Sequence, residues 1–320
     1  MSTPPSTAVP VRPALGPSCR LVFDGRRYLV EQAGTVVTFE GRAVGPLLQR
    51  LLPLLDGTRT IDDLIRELGP SIGPAIDQAL ELLDAHRLLV DGPSAAGDDE
   101  TVAAADFAVT VNRRANRAAA ARALGDVRIA VLGAAAGAGE VARHLERLGV
   151  GLVETLDADA EPPPEAFVLA APRPAELPAL ALLNDRALAA GTPWVQLLPF
   201  DGRVLVVGPL FVPGRSACHR CYATRRGACS GYEEDYDLLQ ETPLRAPSPA
   251  PLAAIAGALA ALLAVRWIAT GDPSLPGRFY ALEVGTVLGL SNEHVLRVPR
   301  CPACAPPART VPSPWFAETA

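Results

Sequence analysis

The sequence predicts an α/β chain opened by a smaller α+β module, and three observations carry that prediction. Three short strand-like runs precede three helical ones within the first 91 residues. A Gly- and Ala-rich turn joins an apolar strand to a helix at Gly133. Two C-x-x-C pairs stand far apart in the second half. An Ala-rich composition with few aromatics fits an α/β core better than an all-β sandwich.

At 320 residues the chain has room for two cores. Its net charge is −6, lysine is absent, and no basic stripe runs along it. Phosphate-backbone binding requires such a stripe, so nucleic acid is not expected as a partner. Met1 to Ser18 is Pro- and Ser-rich without a charged and then apolar stretch, and is expected to be a disordered tail rather than a secretory signal. The apolar run Leu252 to Val265 is shorter than the ~20 residues that cross a bilayer and is followed by Arg266, so it is expected to be a buried helix. No membrane partner is expected. A cytoplasmic location follows, in which the six cysteines are thiols or metal ligands.

Arg20–Asp24, Tyr28–Gln32 and Thr35–Glu40 are separated by Asp24-Gly25 and Ala33-Gly34, both hairpin signals. Gly45 to Leu55 is strongly apolar, and Asp56-Gly57 breaks it. Thr60 can cap a helix over Ile61 to Leu68, with Asp62 and Asp63 at its positive end. Ser71 opens a third helix, along which Ile72, Ile76, Leu80 and Leu83 recur at helical spacing until His86. Residues 19–91 thus read as the first domain and 92–105, acidic and rich in Pro, Ser and Gly, as a linker. Residues 106–320 read as an α/β domain: a helix near Asn112–Leu124, the strand Arg128–Leu132, the helix Glu140–Leu148 and a strand ending at Leu156 form a βαβ unit. Further strands are expected at Ala166–Ala170, Trp194–Pro199, Val204–Val207 and Phe279–Val284.

The strongest motif is Cys218-His219-Arg220-Cys221 paired with Cys301-Pro302-Ala303-Cys304. Each pair puts two thiolates on one tight turn, and Zn²⁺ takes four such ligands tetrahedrally, so the expected metal is a structural zinc. A redox pair and chance are the alternatives. His219, inside the first pair, is expected at the surface, and Cys19 as a small buried apolar residue. Cys229 in a polar loop is either an idle thiol or a nucleophile able to form a thioester.

In a G-x-G-x-x-G phosphate turn the second glycine lets the backbone approach the anion and the third allows close packing. Counted from Gly133 those places hold Ala135 and Ala138. Their methyl groups are expected to crowd an anion, so the turn reads as Rossmann-type with a degenerate nucleotide site.

Across Ala115 to Ala305 the chain resembles the E1-like (ThiF-like) activating enzymes that adenylate peptide C-termini. The likeness rests on the Gly133 turn, Leu148-Gly149-Val150-Gly151 leading to Leu156-Asp157, Thr192-Pro193-Trp194-Val195, Val207-Gly208-Pro209, Pro213-Gly214 before Cys218, and the apolar helix between the cysteine pairs. The resemblance implies that Asp157 or Asp159 would meet the ATP ribose. It also implies an Asn, Arg, Gln and Lys after the second strand and a magnesium-binding Asp after the next. This chain instead runs Asp159-Ala160-Glu161-Pro162-Pro163-Pro164 and Ala170-Ala171-Pro172-Arg173. Adenylation depends on electrostatic stabilisation at phosphorus, which Arg173 alone does not supply. No ATP binding and no catalytic residue are therefore expected.

The first 91 residues are similar to the winged-helix recognition elements of peptide-modifying pathways, through three strands, three helices and Leu55-Asp56-Gly57-Thr58-Arg59-Thr60-Ile61-Asp62-Asp63-Leu64 between them. In those elements a precursor's leader adds as a strand beside the third helix, with main-chain bonds giving affinity. The resemblance places the leader on Val36, Val37, Thr38 and Phe39, facing Gln78, Ala79, Leu82 and His86. Proline at Val37 is expected to remove an edge donor. Asp77, Glu81 and Asp84 on the third helix oppose DNA contact.

Together the two likenesses resemble the E1-like, leader-binding partner proteins of YcaO cyclodehydratases in azole- and azoline-peptide biosynthesis, thiopeptides included. That resemblance implies a precursor leader peptide and a separate YcaO-type protein as partners, the latter spending ATP to form azolines from Cys, Ser or Thr. Homodimerisation is left open. An active adenylating enzyme using Asp157 and Cys229, and a zinc-containing DNA-binding regulator, are the rival readings.

Overall fold

The computed structural model describes residues 9–41, 44–94, 99–112, 115–240 and 248–305. The chain divides at Asp126, not in the expected linker: one unit comprises Met1–Asp126, Arg147–Gly149 and Val265–Asp272, the other Val127–Glu146, Val150–Ala264 and Pro273–Ala320.

In the first unit a short strand, β1 (Pro13–Leu15), precedes β2 (Arg20–Phe23), β3 (Tyr28–Gln32) and β4 (Thr35–Phe39). The last three form an antiparallel sheet in the order β2-β3-β4. Ala33 and Gly34 take φ of 51° and 78°, which gives the two-residue turn whose twist suits a hairpin. The helices α1 (Val44–Leu51), α2 (Ile61–Leu68) and α3 (Gly73–Ala85) follow. Thr60 caps α2 reciprocally with Asp63, and the hydrogen bond from the Thr60 hydroxyl holds the Asp63 carboxyl at about 2. Val30, Leu51, Leu64, Ile76, Leu80 and Leu83 are fully buried and join sheet to helices. Each such aliphatic side chain contributes about 1.5–3 kcal/mol. Cys19 packs half-buried against the same core.

Three expectations fail in this unit. Of the expected tail, residues 1–8 lie outside the described residues, while β1 pairs antiparallel with β5 (Leu89–Asp91). The flanking amides of Leu15, Gly16 and Gly57 bond to the carbonyls of Leu55, Leu88 and Pro13. A strand held by backbone bonds needs little apolar sequence, so composition hid it. Second, residues 95–98 of the expected linker lie outside the described residues, but α4 (Asp99–Val111) takes up its last part, 99–105. Its buried Ala104, Ala105, Ala108 and Val109 recur on one face. Small alanines blur the apolar pattern while favouring helix. The helix expected near residue 112 begins later, as α5 (Arg117–Asp126). Arg117 there is 6% exposed, its Nε 2.7 Å from Asp106 Oδ1.

The third concerns the edge of β4. Residues flanking a two-residue hairpin turn exchange both hydrogen bonds, and bonded and non-bonded pairs then alternate. The pairs Gln32–Thr35, Val30–Val37 and Tyr28–Phe39 therefore spend the amides of Thr35, Val37 and Phe39 on β3. The donors on the open edge are Val36 and Thr38, so Val37→Pro would break the hairpin instead of removing an edge donor.

The second unit is built on one sheet. β6 (Arg128–Leu132), α6 (Ala136–Arg147), β7 (Leu152–Leu156), β8 (Phe167–Ala170), α7 (Ala179–Ala190), β9 (Trp194–Leu198) and β10 (Val204–Phe211) lead to α8 (His219–Ala228) and α9 (Tyr236–Gln240). After these come α10 (Ala250–Thr270), β11 (Arg278–Val284) and β12 (Leu288–His294). The strand order is β12-β11-β10-β9-β8-β6-β7. β7, β6, β8 and β9 are parallel, and β10 to β12 complete the sheet antiparallel. The buried apolar strands β6, β8 and β9 read as expected for a sheet covered on both faces.

At 21 residues α10 is longer than expected and, by length and composition, apolar enough to cross a membrane. Arg266 does not end it, because its guanidinium is 2.7 Å from Asp272. Ala253, Ala256, Ala260 and Ala264 are buried along one face. A Cβ on Gly257 would stand 2.6 Å from that of Glu140, so α10 packs closely on α6 as a core helix.

Candidate functional sites

The four cysteines of the two pairs meet. Cys218 stands at the residue before α8, Cys221 lies in the helix's first turn, and Cys301 and Cys304 bracket a turn after β12. The Sγ atoms are 3.8 Å apart for Cys218–Cys221 and Cys218–Cys301 and 3.6 Å for Cys221–Cys304, and all four lie within 4.8 Å of one another. Four sulfurs about 2.3 Å from a tetrahedral zinc stand about 3.8 Å from each other, so the donor set fits that ion. Burial pushes the thiols of Cys218 and Cys304 up. Against its own burial, the Cys304 and Ala303 amides draw Cys301 down to about 7. Arg225 bonds the Leu296 and Arg297 carbonyls, and Arg297 bonds that of Ser216, so polar contacts also tie the two segments.

His219 is partly buried rather than a surface residue. Its ring lies 6.0 Å from that of Trp194 and 6.1 Å from Phe211, with Nδ1 2.9 Å from Gln196 Oε1. Burial lowers its pKa to about 4, so the ring is neutral. A neutral ring among aromatics packs without the cost of burying a charge, which a C-x-x-C spacing alone does not reveal. Cys229 is exposed just beyond α8.

The Gly133 turn sits where strand order reverses around β6, the usual ligand crevice of a doubly wound sheet. Gly133 has φ of 102°, and a Cβ there would stand 2.5 Å from the Ala171 carbonyl, so only glycine fits. Two of the turn's amides are committed: Gly133 N–H donates to Leu156 O (2.9 Å) and Ala135 N–H to Ala171 O (3.3 Å). Arg173 grips the Glu176 carboxylate through its backbone amide (2.8 Å), Nε (2.7 Å) and a terminal nitrogen. Although burial works the other way, these donors hold Glu176 below the usual carboxylate range.

A cavity of about 230 Å³ adjoins the turn, lined by Ala134, Ala135, Gly137, Arg173, Leu197 and Ala253 among others. Ligand pockets typically hold about 300–1,000 Å³. Ala135 lines this cavity as expected, but Ala138 is 2% exposed and absent from the lining. Its methyl group packs inward at the helix start and does not crowd the turn. Asp157 and Asp159 are exposed just past β7.

On the first unit, Val37, Phe39 and Ala79 pack on the core while Val36, Thr38, Gln78, Leu82 and His86 stay exposed. The Phe39 and His86 rings meet edge-on at 6.3 Å. The flank of α3 carrying Gln78, Ala79, Leu82 and His86 is thus the one beside β4, and Asp77 and Glu81 fall on the other.

No family model matches the chain, and no curated protein matches it. Solved structures do. A heterocyclase in complex with substrate and cofactor gives a TM-score of 0.66 at 22% identity, over 92% of this chain and 39% of that one. The heterocyclase TruD gives 0.66 at 20%, over 92% and 43%. E. coli MccB gives 0.62 at 14%, over 92% and 96%. The chain shares the fold of TruD and MccB. It spans about two fifths of the two heterocyclase chains and nearly all of MccB.

Sequence reasoning missed Glu176. In the spacing Arg173-Pro174-Ala175-Glu176 its carboxylate accepts the Arg173 amide at the start of the turn Pro174–Glu176.

Proposed function

We propose that this chain is a non-catalytic partner in ribosomal-peptide modification, binding a precursor's leader and presenting its core to a YcaO-type cyclodehydratase that spends the ATP. The observation that carries this reading is the state of the Gly133 turn. Phosphate sites work by pointing free amides and cations at the anion, and here Gly133, Ala135 and Arg173 serve the chain's own carbonyls and carboxylate.

The leader site is the open edge of β4 in a winged-helix module. Val36 and Thr38 present main-chain donors and acceptors to an added strand, whose side chains meet Gln78, Ala79, Leu82 and His86. An uncharged flank selects apolar leader residues there. The four cysteines hold a structural Zn²⁺ that fixes the segment after β12 to α8, and four sulfur ligands leave it no open position for chemistry. A cytoplasmic location suits reduced thiols.

Titrating the full chain with a fluorescently labelled leader from a precursor encoded beside it tests this reading. Saturable binding, one leader per chain and unchanged by ATP and magnesium, is the expected outcome. Absence of binding at micromolar protein removes the leader-binding role.

A further inference from the structure

We infer that the outer edge of β2 is where two copies of this chain meet, β2 running antiparallel to β2 about a two-fold axis at Val22. The proposed leader edge on β4 stays open at both outer ends of the joined sheet, so the contact is independent of the leader reading.

Among the described residues β2 pairs with β3 alone, and it is the second open edge of the three-stranded sheet. Leu21, Val22 and Phe23 on it are 40%, 54% and 38% exposed. Three successive apolar residues on a sheet edge, with no proline or bulge among them, favour pairing with another strand.

The register fixes which groups face outward. The Asp24 amide donates to Arg27 O (3.2 Å) across the hairpin turn, and Val22 and Arg20 stand opposite Leu29 and Glu31. Alternation then turns the amides and carbonyls of Leu21 and Phe23 to the open edge. In an antiparallel pair centred on Val22, Leu21 of each copy lies opposite Phe23 of the other, and all of these outward groups find partners. The same register sets Arg20 of each copy opposite Asp24 of the other, a cross-strand pair of opposite charges. Arg20 already holds Glu31 (3.0 Å) and Asp24 holds Arg27 (2.9 Å), so the contact joins two ion pairs into one network at each end. Phe23 lines a cavity of about 730 Å³ with Gly45, Pro46 and Gln49 of α1, which leaves room beside it for the second copy's Leu21. The patch is self-complementary, as an isologous interface requires. The longer exposed edge, β12, carries one acidic residue and no arginine, and gives no such match. So short an edge is small beside the ~1,200 Å² of a stable interface, and a dimer that dissociates in the micromolar range is expected.

Sedimentation velocity of the full zinc-loaded chain across roughly 1–300 µM protein tests this. The wild type is expected to pass from monomer to dimer as concentration rises. Arg20→Asp sets carboxylates face to face, and Leu21→Pro removes an outward donor while sparing the bonds to β3. Each is expected to weaken dimerisation at least tenfold. Mixing Arg20→Asp with Asp24→Arg restores opposite charges at both ends and is expected to recover mixed dimers. Arg20→Asp alone decides if either other variant does not fold. A wild type that stays monomeric, or an Arg20→Asp protein that associates as the wild type does, overturns the inference. Dimerisation without leader binding would instead count against the functional reading.

Discussion

Cys301→Ser is expected to abolish stoichiometric zinc and lower the melting temperature by on the order of 10 °C or more. Cys301 is 1% exposed, and its sulfur stands 3.8 Å from that of Cys218, a residue 83 positions earlier. One ion held by these sulfurs closes a very long loop. Structural zinc binding is worth roughly 10–16 kcal/mol in small finger peptides. The core around Trp194 and Phe211 shares the stabilisation here, so the loss is smaller. Metal analysis with a thermal melt checks it, and an unchanged melt at full zinc content would show that Cys301 is no ligand. Cys229→Ser, at an exposed site, is expected to leave both readings unchanged.

Thr38→Pro is expected to weaken leader binding at least tenfold, about 1.4 kcal/mol, while the protein stays folded. Proline removes the outward donor, and its ring blocks an incoming strand. Val37→Pro should behave differently, because that amide belongs to the pairing with Val30. It should lower stability first, with loss of binding following from a damaged hairpin. Fluorescence anisotropy and a melt on the two variants separate these outcomes. Tight binding by a folded Thr38→Pro protein would move the leader to another edge.

What the sequence disclosed depended on how local its signals are. The turn at Ala33-Gly34, the Thr60 cap and the strand Arg128–Leu132 were legible because turn chemistry, capping and an apolar run each act within a few residues. The cysteine cluster was legible across a long gap because few other arrangements use four thiols in two tight pairs. β1 and α4 escaped, one because backbone bonds hold it and the other because its buried face is mostly alanine. β12 escaped because its seven residues are all exposed and show no apolar alternation. The direction of the Val37 amide required the register.

The central claim is that the nucleotide-shaped half of this chain performs no nucleotide chemistry. ATP–pyrophosphate exchange by the full zinc-loaded chain, with its precursor peptide and magnesium present, tests that most directly. Exchange no faster than in a protein-free blank is the predicted result. Exchange above the blank that disappears in Asp157→Ala would contradict it, and would return the chain to the adenylating enzymes.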